Sequence, residues 1–216
     1  IAPDLRVEGE TANAFQALGR RAAERGLDLR VASAFRDYDR QVRIINDKWT
    51  GARPVTDGEG RLLVRARHDD EEWLNLILRF SALPGMSRHH WGTDLDVWDA
   101  SAVDTDYRPL LSPSEYGPSG PFCEMTRWLD ELMAAHDAEG FYRPYALDRG
   151  GIAPEAWHIS YRPAAMKYQD VVSAELLIPL WRGEADACGN VHEPLAMLKV
   201  IEPKVDHLME RFVAVP

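Results

Sequence analysis

The run Ser87-Arg88-His89-His90-Trp91-Gly92-Thr93-Asp94-Leu95-Asp96 gathers two histidines, a glycine and two aspartates into a short stretch. From Thr93 to Trp98 polar and apolar residues alternate, the period of a strand. A loop entering a strand here can fold His89 and Asp96 onto one centre, and Gly92 permits the tight backbone path between them. Imidazole and carboxylate are zinc ligands, and a catalytic zinc takes three protein ligands plus a water. The third candidate is His158, in Glu155-Ala156-Trp157-His158. If that segment is a strand beside the first, Glu155 lies one short step from the metal, where a general base belongs.

Working outward, residues 10–26 place Ala14, Phe15, Leu18, Ala22 and Ala23 at helical spacing, with Gly26 as a stop. Leu27 to Phe35 reads as a strand ending near Ser33, and 36–49 as a helix. Two β-leaning arms around Asp57-Gly58-Glu59-Gly60 predict a hairpin. Asp69 to Ala82 is a helix whose first turn is acidic, favourable against the helix dipole. A Pro/Ser/Gly-rich loop spans 108–121, and a helix runs from Cys123 to Ala138. Residues 140–145 and 155–161 read as extended. Beyond Pro163 the chain reads as mostly helical, broken between Gly183 and Pro194.

The 216 residues are 45% hydrophobic and 28% charged, enough to bury a sizeable core. The formal net charge of -10 repels polyanions, so nucleic acid is not an expected partner and an anionic membrane surface is disfavoured. No apolar run approaches the roughly 20 residues of a membrane span; the longest, Leu176 to Trp181, contains Pro179 and stops at Arg182. The chain begins at Ile1 rather than Met, which points to an N-terminal segment removed by a signal peptidase or by the choice of expressed segment. Cys123 and Cys188 lack a zinc-binding spacing. A disulfide and two buried free thiols both remain open for them.

Three motifs, in order, carry a resemblance. Ser33-Ala34-Phe35-Arg36, with Gln41 after it, is similar to S-G-Y-R…Q. Ser87-x-His89-x-x-Gly92-x-x-x-Asp96 matches S-x-H-x-x-G-x-x-x-D at every fixed position, and Glu155-Ala156-Trp157-His158-x-x-Tyr161 is similar to E-P-W-H-x-R-Y. These are motifs of the VanY-type D-alanyl-D-alanine carboxypeptidases, which belong with the lysostaphin-like enzymes to the LAS metallopeptidases, and the chain from Ser33 to about Tyr161 resembles them. Ala34 replaces glycine, Ala156 replaces proline, and Ser160 stands where the family has arginine.

The resemblance implies that His89, Asp96 and His158 bind zinc, that Glu155 is the catalytic base, and that Arg36 holds the substrate carbonyl or the developing oxyanion. Ser87 and Gln41 are candidates for substrate contact or support of the site, and Trp157 and Tyr161 are further substrate-binding candidates. Trp157, like Trp91 and Trp98, also reads as a core or wall residue. His90 reads as a packing or supporting residue, its side chain turned away from the metal if the backbone is extended. Asp94 and Asp99 read as solvated or turn residues, with orientation of a histidine as the alternative role for Asp94. His68, His136, His192 and His207 read as surface or locally satisfied histidines.

The expected fold class is α+β: a small antiparallel sheet carrying the zinc site, flanked by helices, with a helical C-terminal extension. Residues 1–165 would form the peptidase domain, 47–82 an insertion in it, and 166–216 an extension packed on the same domain. The implied activity is hydrolysis of peptidoglycan stem peptides by a zinc-activated water, as a D,D- or L,D-carboxypeptidase or as an endopeptidase on cross-links. Periplasmic or secreted localisation follows from where that substrate lives. A non-catalytic peptidoglycan-binding module with a retained zinc site is the competing class; Glu155 and Arg36 argue against it, since binding needs no general base. A phage-derived or toxin-like lytic enzyme would share the chemistry and differ in delivery.

Overall fold

The computed structural model describes residues 5–169 and 173–212, so three residues of the tail read as mostly helical, 170–172, lie outside the described residues, as do both termini. These residues group into two compact units, 5–35 with 91–146 and 155–169, and 36–90 with 147–154 and 173–212. Among the described residues the fold is mixed α and β, with a small four-stranded antiparallel sheet and helices.

In the first unit, helix α1 (Gly9–Glu24) starts at Glu8, whose carboxylate accepts from the backbone of Glu10 and Thr11 and caps the helix. Its stripe of Phe15, Leu18 and Ala22 is buried, and it lies against strand β1 (Leu29–Ser33). Strand β2 (Asp94–Asp99), β3 (Phe141–Tyr142) and β4 (His158–Tyr161) complete a sheet in the order β1-β2-β4-β3, each pairing antiparallel. The register sets Asp96 opposite His158, Leu95 opposite Ile159, and Asp94 opposite Ser160. Because side chains alternate along a strand, Leu95, Val97 and Ile159, all fully buried, occupy one face. The acidic and histidine side chains occupy the other.

The predicted loop 108–121 contains a short helix, α4 (Pro113–Tyr116), because Ser112 and Glu115 form a capping box and proline takes its first position. The Tyr116 hydroxyl donates to the Val97 carbonyl at 2.8 Å and so ties α4 to β2. Its ring packs on Trp157 and on Phe122, which leads into α5 (Cys123–Ala134). The helix α6 (Arg162–Ala165) follows β4 directly.

The second unit is helical. α2 (Tyr38–Thr50) is capped by the Asp37 carboxylate and ended by Gly51, at φ 81°. α3 (Asp70–Leu78) is capped by Asp69 and stops earlier than the sequence pattern predicts. Trp73 at its buried face donates to the carbonyls of Lys48 and Trp49 at the end of α2. The predicted hairpin at 57–60 is reduced to a single bridge, Thr56 with Leu62. The tail folds as α7 (Ala174–Trp181), α8 (Leu198–Ile201) and α9 (Val205–Phe212), with the predicted break between α7 and α8. Trp181, fully buried, donates to the Pro84 carbonyl at 2.9 Å, and Asn46 of α2 is bonded to Glu193, Pro194 and Ala196. Full burial of an apolar side chain such as Leu74 or Ile77 of α3 contributes about 1.5–3 kcal/mol. No helix among the described residues is long and apolar enough to cross a membrane. Cys123 and Cys188 are both free thiols, the second exposed.

Candidate active site

β2 and β4 carry the acidic half of the site. Asp96, 4% exposed, places Oδ1 at 3.2 Å from His158 Nδ1, and Glu155 places Oε2 at 3.4 Å from the same nitrogen. Asp94 Oδ1 lies 2.9 Å from the other ring nitrogen, Nε2. Three carboxylates thus surround one buried imidazole. Burial alone would lower the pKa of His158, yet its hydrogen bonds to the carboxylates of Asp94, Asp96 and Glu155 outweigh that and raise the pKa well above the ordinary histidine value. This half of the site is built for a cation.

The segment read as one strand from Glu155 is a turn up to Trp157 and a strand only from His158. Glu155 is fixed there from both sides: its N–H donates to the Tyr145 carbonyl at 3.0 Å, and its carbonyl accepts from His158 N at 3.2 Å. The Arg143 Nε donates to the Ala156 carbonyl at 2.8 Å and holds the same turn. Trp157 is buried with its ring 5.3 Å from Tyr116, and Tyr161 lies against Phe141.

The histidine-bearing run behaves differently from the extended backbone assumed for it. Arg88–Trp91 is a 3-10 turn, closed by His90 N donating to the Ser87 carbonyl. Gly92 follows at φ 72°, the left-handed region that glycine tolerates. His90 turns to the backbone: Gly85 N–H donates to its Nε2 at 3.0 Å, so its Nδ1 carries the proton and donates to the Arg36 carbonyl at 2.6 Å. Burial pushes its pKa down, which keeps the ring neutral for both bonds. Arg36 N–H in turn donates to the His89 carbonyl at 3.1 Å. His90 therefore supports Arg36 and His89 through their main chains.

Gln41, fully buried, accepts from Arg36 Nη1 at 2.7 Å and donates through its amide nitrogen to the Ala82 carbonyl. Its contacts are those of a residue that aims the arginine. Ser87 is buried at the head of the 3-10 turn. Among the described residues, the ligand atoms of His89, Asp96 and His158 all lie within 4.8 Å of one another, and all three side chains are buried. Two imidazoles and a carboxylate are a donor set that fits zinc.

Sequence reasoning misjudged Asp94. It is neither solvated nor a turn residue but fully buried in mid-sheet, where its alternative role, orienting a histidine, matches the geometry. His192 is likewise engaged, with Nδ1 2.7 Å from Asp39 Oδ1 and Nε2 3.5 Å from Asp186.

The family model for VanY, D-alanyl-D-alanine carboxypeptidase, matches residues 4–164. A Haemophilus influenzae protein described as uncharacterized is 35% identical over 100 residues, spanning 45% of this chain and 74% of its own. Among solved structures, VanYB in complex with D-alanine-D-alanine superposes with a TM-score of 0.50 at 23% identity, covering 78% of this chain and 79% of that one. A mutant of the vancomycin resistance D,D-pentapeptidase VanY in complex with Zn(II) gives 0.51, also at 23% identity, with 78% and 80% covered. The two structures share the fold seen here, and the family match spans both the sheet and the 87–96 run. The chain belongs to the VanY D-alanyl-D-alanine carboxypeptidase family.

Proposed function

We propose that this chain is a zinc-dependent peptidase that hydrolyses peptidoglycan stem peptides outside the cytoplasm, as a D,D- or L,D-carboxypeptidase. The observation that carries the reading is the convergence of His89, Asp96 and His158 with Glu155 alongside. The ligands of the two related structures, a D-Ala-D-Ala dipeptide and Zn(II), support the substrate class and the metal.

His89, Asp96 and His158 would hold the zinc. A zinc ion so held supplies Lewis-acid polarisation of the scissile carbonyl and a water acidic enough to ionise near neutral pH. Glu155 takes the proton as the nucleophile forms and passes it to the departing amine. Arg36, aimed by Gln41 and braced by His90, stabilises the negative charge that develops on the carbonyl oxygen. Ser87 would line the site, whereas Tyr161, on the Ile159 face of β4 against Phe141, and Trp157, buried against Tyr116, would support it by packing. No covalent acyl-enzyme is required.

Incubating zinc-loaded protein with defined pentapeptide, tetrapeptide and cross-linked muropeptides, followed by mass spectrometry, tests this. Loss of the terminal D-residue from a pentapeptide marks D,D activity, and trimming of a tetrapeptide to a tripeptide marks L,D activity. Cleavage of a dimer alone would make it an endopeptidase. Release of nothing from any stem peptide or intact sacculus refutes the proposal.

A further inference from the structure

β2 and β4 set two aspartates against one histidine. In register Asp96 faces His158 and Asp94 faces Ser160, so Asp94 reaches His158 on the diagonal. That diagonal contact is the closer of the two, 2.9 Å from Asp94 Oδ1 to Nε2 against 3.2 Å from Asp96 Oδ1 to Nδ1. Asp94 is fully buried, and its Oδ2 accepts from the hydroxyls of Thr93 at 2.7 Å and Ser160 at 3.0 Å. A carboxylate taken out of water is costly unless each oxygen is engaged, and here each is. A carboxylate only accepts, so Nε2 holds a proton toward Asp94, and Nδ1, which faces Asp96 and Glu155, is the nitrogen that would give up its proton to a metal.

We infer that Asp94 is a positioning residue for His158: it fixes the tautomer and ring plane that present Nδ1 to a metal, and Thr93 and Ser160 hold its carboxylate in place. Ser160 stands where the related motif has arginine. An arginine there, directly opposite Asp94, would draw the carboxylate's charge to itself. A short hydroxyl leaves that charge directed at the imidazole, which strengthens the ring as a donor. The inference rests on the zinc reading above.

Wild type, Asp94→Asn and Asp94→Ala are compared for zinc Kd by competition with a chromophoric chelator. The His158 Nε2–H signal is followed in zinc-loaded protein labelled with nitrogen-15 histidine. The expected result is a Kd raised about 10- to 100-fold in Asp94→Ala, with a smaller rise in Asp94→Asn, whose amide oxygen still accepts. The Nε2–H signal should exchange slowly in wild type and vanish in Asp94→Ala. Unchanged Kd values overturn the inference while leaving the zinc reading intact. If Asp94→Ala does not fold, the isosteric Asp94→Asn carries the test, and an unchanged Kd in it overturns the inference. A wild type that takes up no zinc overturns the zinc reading and the role of Asp94 together.

Discussion

Asp96 and His158 face each other across β2 and β4, carboxylate Oδ1 3.2 Å from imidazole Nδ1, in a register that Leu95 and Ile159 lock from the opposite face. A one-residue slip of either strand would exchange the polar and apolar faces and bury the wrong side chains. Core packing and site geometry are therefore the same constraint at this point of the chain.

Arg36 and Gln41 should differ in degree. Arg36→Ala removes a donor for the developing charge and should lower kcat about 100- to 1,000-fold. Gln41→Ala leaves the guanidinium present but takes away the acceptor 2.7 Å from Nη1, and should lower kcat by about tenfold. Steady-state kinetics on a peptide substrate checks both. Equal losses would show that Gln41 does more than aim Arg36.

Gly92 should resist substitution. Its φ of 72° is costly for any residue with a Cβ, and that atom would also lie 3.3 Å from Glu8 N, whose N–H bonds the Gly92 carbonyl. Gly92→Ala should lower stability by about 1–2 kcal/mol, read by denaturant unfolding.

Much of this was legible from pattern, and the failures have physical reasons. α1, α2, β1 and β2 announce themselves through spacing and caps, and the second and third motifs contain His89, Asp96 and His158, whose ligand atoms lie within 4.8 Å of one another. The run from Glu155 to Tyr161 looks continuous in sequence and so predicts a strand that begins at Glu155. The turn before His158 is set by a tertiary bond, Glu155 N to the Tyr145 carbonyl, which no local pattern carries. Asp94 looked like a solvated acid for a related reason. Its partners Ser160 and His158 sit on a strand more than sixty residues away, and only the pairing brings them together. The helix predicted to Ala82 stops at Leu78, where Arg79 turns to the Gly151 carbonyl and the Asp148 carboxylate.

The tail should matter for stability. Trp181 is fully buried and bonded to the Pro84 carbonyl, just upstream of the 3-10 turn that bears His89. Trp181→Ala should cost about 3–5 kcal/mol. Trp181→Phe, which keeps an aromatic ring but loses the N–H, should cost less. Thermal unfolding of the two variants separates packing from the hydrogen bond.

His192 predicts a pH dependence. Its hydrogen bond to Asp39 outweighs burial and raises its pKa, so its contribution is fully present below the ordinary value of 6.5 and lost as pH rises through the raised one. Asp186 runs the other way. Held at about 2, chiefly by the Asn190 side chain, it contributes above the ordinary carboxylate range and loses that as pH falls toward 2. The Tm difference between wild type and His192→Gln should be clear near about pH 6 and shrink in alkaline buffer. A difference that grows with pH would contradict this assignment.

The most direct test of the central claim compares wild type with Glu155→Gln for bound zinc and for muropeptide cleavage. The account predicts that the variant keeps its zinc, because His89, Asp96 and His158 remain, and loses cleavage, because the base is gone. A Glu155→Gln protein that cleaves as fast as wild type would contradict it.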